Sequence, residues 1–223
     1  MNVNVIYEDN HLLSVVKPSD IPVQADASGA LDMLTLLKSF LKEKYNKPGN
    51  VYLGLVHRLD RPVGGVMVFA KTSKAASRLS EQIRERETGK TYLTVVHGCP
   101  KNPSDRLIHY LLKDYNTNTV SVVSPHTEAS KQAILEYTLL KQAQNMSLVE
   151  IKLLTGRNHQ IRVQMAAIGT PLFGDVKYGS REEKGRGHPA LWSYSMSINH
   201  PVTKERMTFQ APPPHEFPWN VFK

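Results

Sequence analysis

Little in this 223-residue chain speaks of oxidation, membranes or metals. It has one cysteine, Cys99, so no disulfide can close within it and no Cys-x-x-Cys metal pair exists. That fits a reducing compartment and predicts a cytoplasmic protein. Cys99 itself reads as a small hydrophobe near a strand end. Apolar runs are short, far below the roughly 20 residues that span a bilayer. The opening Met1-Asn2-Val3-Asn4-Val5 lacks the basic and apolar segments of a secretory leader. The nine histidines never fall three or four positions apart, so no helical metal site is signalled. GxGxxG and glycine-lysine phosphate loops are missing, which argues against a nucleotide cofactor. A GxSxG elbow is missing too, which argues against serine hydrolysis. Paired carboxylates for glycoside chemistry are not evident, although Asp60 and Asp175 stay open as a pair. Repeats and low-complexity stretches are absent.

What is present is ordinary in bulk: 40% hydrophobic and 22% charged residues, the balance of a globular chain. Lys and Arg number 28 against 20 Asp and Glu, a net +8 that suits a phosphate-backbone partner and is also common among basic proteins that bind none. Val3 to Tyr7, a turn at Asp9-Asn10 and Leu12 to Val16 predict a hairpin. Leu34, Leu37 and Leu41 repeat at helical spacing within Leu31 to Tyr45. Val51 to Val56 and Val66 to Ala70 predict buried strands flanking the loop His57 to Gly65. Ser73 is placed to cap a helix running to about Glu87, its apolar face Ala75, Ala76, Leu79 and Ile83. Thr91 to Val96 is another strand. Arg106 to Thr155 reads as strands with turns at 116–118, Ser124-Pro125 and Gln144-Asn145. His159 to Ile168 reads as a short helix capped by Asn158 and closed by Gly169. Lys177 to His188 looks like an exposed basic loop, and strands return at Trp192 to Ile198 and Arg206 to Gln210. Strands that follow one another through turns, with few helices, predict an α+β fold built on a mixed, largely antiparallel sheet.

Three segments could carry chemistry. In His57-Arg58-Leu59-Asp60-Arg61-Pro62-Val63-Gly64-Gly65, two strands hold a loop whose carboxylate lies between two guanidiniums. Such a carboxylate stays ionised and suits a nucleophile or electrostatic stabiliser better than a general acid. The same residues also describe an ordinary turn aspartate with a surface ion pair. In Thr155-Gly156-Arg157-Asn158-His159-Gln160-Ile161-Arg162, hydrogen-bond donors gather without a carboxylate. They call for an anionic partner, a phosphate or a buried aspartate such as Asp60, or else form a solvated helix start. Tyr92, in Lys90-Thr91-Tyr92, can stack on a base or simply fill a strand.

Taken together and in order, these segments resemble the RluA-type pseudouridine synthases. The resemblance rests on His57-Arg58-Leu59-Asp60 and the Thr155 to Arg162 run. Lys17-Pro18, Lys90-Thr91-Tyr92, Gly174-Asp175, Tyr178-Gly179, His200-Pro201 and Pro212 to Pro214 support it, so it spans nearly the whole chain. Val63-Gly64 stands where the family commonly has Thr-Ser, Gln164 where His is frequent, and no S4-like RNA-binding domain precedes the first strand.

The resemblance implies one catalytic domain over residues 1–223, two sheet halves around a central cleft. It implies an isomerase that converts a flipped-out uridine of ribosomal or transfer RNA to pseudouridine, with a monomer as the default expectation. Asp60 would be the essential carboxylate, acting on ribose C1′, on the base, or on the C2′ proton to give a glycal. Arg162 would pair with Asp60, and Tyr92 would stack on the uracil. Arg58 would fill the vacated helix stack. His57, Lys71, Lys74, Arg157 and His159 would contact the RNA. Since nothing is oxidised or added from outside, no cofactor and no metal is implied. A non-catalytic RNA-binding module and a nucleoside hydrolase using Asp60 are the rival readings.

Overall fold

The computed structural model describes residues 3–179 and 188–222. Along the chain come β1 (Asn4–Glu8), β2 (Leu12–Lys17), α1 (Met33–Lys44), β3 (Gly54–Leu55), β4 (Gly64–Ala70), α2 (Ser73–Arg84) and β5 (Gly89–His97). There follow β6 (Ser104–Asp114), β7 (Thr119–Val123), β8 (Lys131–Ala143), β9 (Met146–Leu153), α3 (Gln160–Ala167), β10 (Leu191–Asn199) and β11 (Arg206–Gln210), then a 3-10 turn at Trp219–Phe222. Strands outnumber helices and the pairings are antiparallel along the hairpins, which is the expected α+β class. No described helix is long and apolar enough to cross a membrane. The chain forms two compact units, Met1–Gly89 with Ser193–Pro212, and Lys90–Trp192 with Pro213–Lys223.

In the first unit the strand order is β1-β2-β4-β10, with β3 added to β4 and β11 to β10. Every residue of β4 is buried, because neighbours flank it and its faces are covered. The α2 residues Ala75 and Leu79 pack on Leu12, Val66, Val68, Met196, Ile198 and Phe209. Burying each large apolar side chain of this kind is worth about 1.5–3 kcal/mol. Capping departs from the sequence reading. The hydroxyl of Thr72, not Ser73, accepts the Ala75 N–H at 3.1 Å, and Ser73 is already inside the first turn. At α1, Asp32 accepts from both Thr35 N (3.0 Å) and Thr35 Oγ1 (2.8 Å). Only Gly54 and Leu55 of the expected Val51 to Val56 strand join the ladder, although Val51 and Leu53 are buried. Burial without a ladder partner looks the same in sequence as a strand does.

In the second unit the order is β5-β9-β8-β6-β7. The β8–β9 hairpin turns at Gln144 and Asn145, both left-handed (φ 50° and 59°), the twist that two-residue hairpin loops favour. The β6–β7 turn is closed by Asp114, whose carboxylate accepts from Asn116 N at 2.8 Å and Thr117 Oγ1 at 2.8 Å. Leu111, Val120 and Ala133 pack on Val163 of α3, while Phe173, Val95 and Met146 pack with Phe222. Of the expected basic loop from Lys177 to His188, positions 180–187 lie outside the described residues.

Candidate active site

The first unit carries the loop of Asp60. The chain leaves the buried Leu59, turns through Arg61-Pro62, and is closed by the Val63 N–H donating to the Asp60 carbonyl at 3.0 Å. It then enters β4 through Gly64 and Gly65. Gly65 has φ +114°, and a Cβ there would overlap the backbone of Ser193, 2.7 Å from its nitrogen. Here a glycine is required twice over, for conformation and for close approach.

Beneath the loop lies Lys17, fully buried at the end of β2. Its ammonium donates to the Pro18 carbonyl at 2.9 Å and the Arg61 carbonyl at 3.0 Å. Burial pushes this ammonium down to about 8; the Asp20 and Asp60 carboxylates pull it back up and Arg61 adds to the lowering. Sequence reading placed Lys17-Pro18 only as a strand end and a family mark. Its signal was a lysine closing a mostly apolar strand.

The other loop residues divide by environment. His57 accepts the Val68 N–H on Nε2 at 3.0 Å, which anchors the loop to β4 and puts the proton of the neutral ring on Nδ1. Arg61 reaches away, donating from Nε to the Asp20 carbonyl (3.1 Å) and from Nη1 to Ser28 Oγ (3.2 Å). Arg58 and Lys74 are exposed and enter no ion pair among the described residues. Lys71 is different. Its side chain is 11% exposed and its ammonium lies 2.7 Å from Glu8, beside the ring of Tyr45. Burial raises Glu8, but Lys44, Lys71 and Tyr45 outweigh it and hold the carboxyl down near 2. The charge of Lys71 is thus committed inside its own fold.

The second unit carries Tyr92, Arg157, His159 and Arg162. Tyr92 is buried on β5 opposite Ile151 of β9. α3 is no solvated helix start: Gln160, Ile161, Arg162, Val163, Gln164 and Met165 are all buried. Asn158 does not cap it. The N-cap is His159, left-handed at φ 51° and without a side-chain cap bond. Gln160 organises the entry instead. Its Oε1 accepts from Arg157 N (3.0 Å) and Thr155 Oγ1 (2.8 Å), and its Nε2 donates to the Ile134 carbonyl (3.1 Å). Arg157 spends its Nε on the Gln132 carbonyl at 2.9 Å. Gln164, where the family frequently has His, donates toward His109 Nδ1 at 3.0 Å and the Leu107 and Ala133 carbonyls at 3.3 Å.

Arg162 has a partner that spacing alone did not single out. Its Nε and Nη2 each lie 2.7 Å from an oxygen of Asp175, a two-pronged pair with Asp175 fully buried. Burial raises the Asp175 carboxyl, and Arg162 together with the Tyr178 and Lys177 N–H groups pulls it below its ordinary value. The guanidinium lies over the ring of Tyr178, 5.1 Å from its centroid. The Tyr178 hydroxyl accepts the Val120 N–H at 2.9 Å and meets His159 Nδ1 at 2.6 Å. The sequence signal was there in Asp175-Val176-Lys177-Tyr178, an aspartate able to accept from the backbone two and three residues on.

Comparison with known proteins follows the same lines. Residues 11–167 match the family model described as RNA pseudouridylate synthase. Among curated proteins, the chain is 33% identical to an uncharacterized RNA pseudouridine synthase, YlyB, of Bacillus subtilis, across 97% of this chain and 71% of that protein. It is 32% identical to ribosomal large subunit pseudouridine synthase D of Pseudomonas aeruginosa, across 98% and 71%. The corresponding synthase D of Haemophilus influenzae is 30% identical, across 96% and 68%. Among solved structures, human RNA pseudouridylate synthase domain containing 4 superposes with a TM-score of 0.80 at 20% identity, covering 95% of this chain and 88% of that one. The human domain containing 1 gives 0.78 at 24%, covering 96% and 85%. The two human structures share the fold.

Proposed function

The chain belongs to the RNA pseudouridylate synthase family, isomerases of uridine in RNA, and from that premise we propose how its residues divide the work. Asp60 supplies the reacting carboxylate. The bond from uracil N1 to ribose C1′ breaks, the base turns, and C5 joins C1′ while the C5 proton leaves and N1 takes up a proton. Composition is unchanged and no electron is gained or lost. Addition of Asp60 to C1′, addition to the base, and abstraction of the C2′ proton all begin from the same carboxylate. Tyr92 stacks on the uracil and serves the C5 proton, directly or through water. Arg162 orients the carboxylate. Arg58 takes the place of the flipped nucleotide in the stack. Lys74, Arg157 and His159 hold phosphates, and Lys71 adds positive potential from inside its Glu8 pair.

The observation that carries this reading is the way the Asp60 turn is built. Its backbone is held by Val63, by the buried Lys17 ammonium and by the tight passage of Gly65. A reacting group gains from such a frame because its position need not be bought again in the transition state. The names of the relatives favour large-subunit ribosomal RNA as substrate, with transfer RNA the alternative. We read the protein as a cytoplasmic monomer on that RNA.

Asp60→Ala tests the assignment. Carbodiimide mapping of RNA from cells with and without the native protein should show a pseudouridine signal lost at a defined uridine of large-subunit RNA. Native protein should restore the signal and Asp60→Ala should not, while still binding RNA. A signal that persists with Asp60→Ala removes Asp60 from the chemistry. Release of free uracil would mark a hydrolase instead.

A further inference from the structure

Arg162 lies almost wholly inside the second unit, so its direction is set by what surrounds it. A guanidinium has five N–H groups in one plane. The Asp175 carboxylate takes one from Nε and one from Nη2, both at 2.7 Å. That fork fixes the plane and aims the opposite edge, which holds the Nη1 pair, in a single direction. Tyr178 lies against the face of the same group, 5.1 Å from ring centroid to guanidinium carbon. The two supports are one construction. Asp175 Oδ1 also accepts the N–H of Lys177 at 3.0 Å and of Tyr178 at 3.1 Å, so the carboxylate folds the turn that carries the ring. The ring is then pinned at its far end. Its hydroxyl oxygen accepts from Val120 N and lies 2.6 Å from His159 Nδ1.

We propose that Asp175 and Tyr178 are positioning residues for the isomerisation, holding the Arg162 guanidinium in its plane and against its face so that its opposite edge is aimed before substrate arrives. The proposal rests on the reading of Arg162 given above. Neither residue touches the substrate; each acts through Arg162. A preset guanidinium favours the reaction step over RNA binding, because the RNA gains most of its affinity from phosphate contacts elsewhere.

The test is single-turnover conversion with enzyme in excess, which separates the rate of the chemical step from the RNA dissociation constant. Asp175→Asn keeps the size of the side chain and replaces one acceptor oxygen with a donor that faces the guanidinium. Its rate constant should fall about 100-fold, the scale of a misplacement of about 1 Å, with RNA affinity within about twofold of native. Tyr178→Leu removes the ring and should cost about 10-fold in the same constant, and Tyr178→Phe, which restores the ring, should recover most of it. In an Arg162→Lys background, Asp175→Asn should add little, since residues acting through one group are not additive.

Three outcomes overturn the proposal: an Asp175→Asn rate equal to native, a loss confined to RNA affinity, or full additivity with Arg162→Lys. If Asp175→Asn does not fold, judged by its circular dichroism melt, the Tyr178 pair decides, and equal rates for Leu and Phe overturn it. An Arg162→Ala enzyme with native rate would instead refute the assigned role of Arg162, which is a separate failure.

Discussion

Two buried charges at the residue scale each make stability rise with pH, in separate windows. Lys17 titrates near 8 in the folded protein against an ordinary 10.5. The folded state therefore gives up this proton first, and between roughly pH 8 and 10.5 the unfolded chain binds more protons. Stability should rise with pH across that window by up to about 3 kcal/mol from this group, and urea titrations of native and Lys17→Met protein should differ there in slope. Glu8 gives the same sign at the acid end, held near 2 against an ordinary 4.5. Its contribution is present above about 4.5 and is lost as pH falls toward 2. Glu8→Gln should destabilise the protein at pH 7 by about 2–3 kcal/mol and flatten the acid limb of the melting curve. Gly65→Ala introduces both a left-handed strain and a backbone overlap. Denaturant unfolding should show a loss of about 3 kcal/mol or more.

At the scale of elements, the caps separate what pattern shows from what geometry shows. Thr72 and Ser73 are neighbours of like chemistry before an amphipathic run, and the pattern alone points to Ser73. Only the extended backbone at Thr72 (φ −137°, ψ 153°) turns its hydroxyl back to the Ala75 N–H. Thr72→Ala should cost about 1 kcal/mol and Ser73→Ala within about 0.5, a difference that melting temperatures resolve. α3 was open to two readings for a related reason. Its polar residues suit either water or buried partners, and Gln160, Arg162 and Gln164 are buried because each finds partners on β6, β8 or the Asp175 turn. Polar composition reports solvent only where the fold offers no buried partners.

At the scale of the whole molecule, the net +8 becomes a statement about salt. RNA affinity should fall steeply as salt rises, by counterion release. Lys74→Ala removes an exposed cation assigned to a phosphate and should lower the slope of log affinity against log salt by about one contact. Lys71→Ala should leave that slope nearly unchanged and instead lower the melting temperature, since its ammonium pairs with Glu8. Filter binding across a salt series beside thermal melts distinguishes the two kinds of lysine.

The α+β class, most strand positions and the family are legible in the chain alone, because period-two patterning, turn residues and the ordered runs 57–60 and 155–162 are local signals. The same signals pick out Asp60, Arg162 and Tyr92 as candidates. The company these residues keep is set by folding. Lys17 meets the Arg61 carbonyl 44 positions away, Arg162 forks onto Asp175, and Lys71 turns from a candidate phosphate ligand into the partner of Glu8. The physical reason is that burial and pairing depend on neighbours distant in the chain. A lysine in a string of letters carries the same charge whether it faces water, a phosphate or a carbonyl in the core.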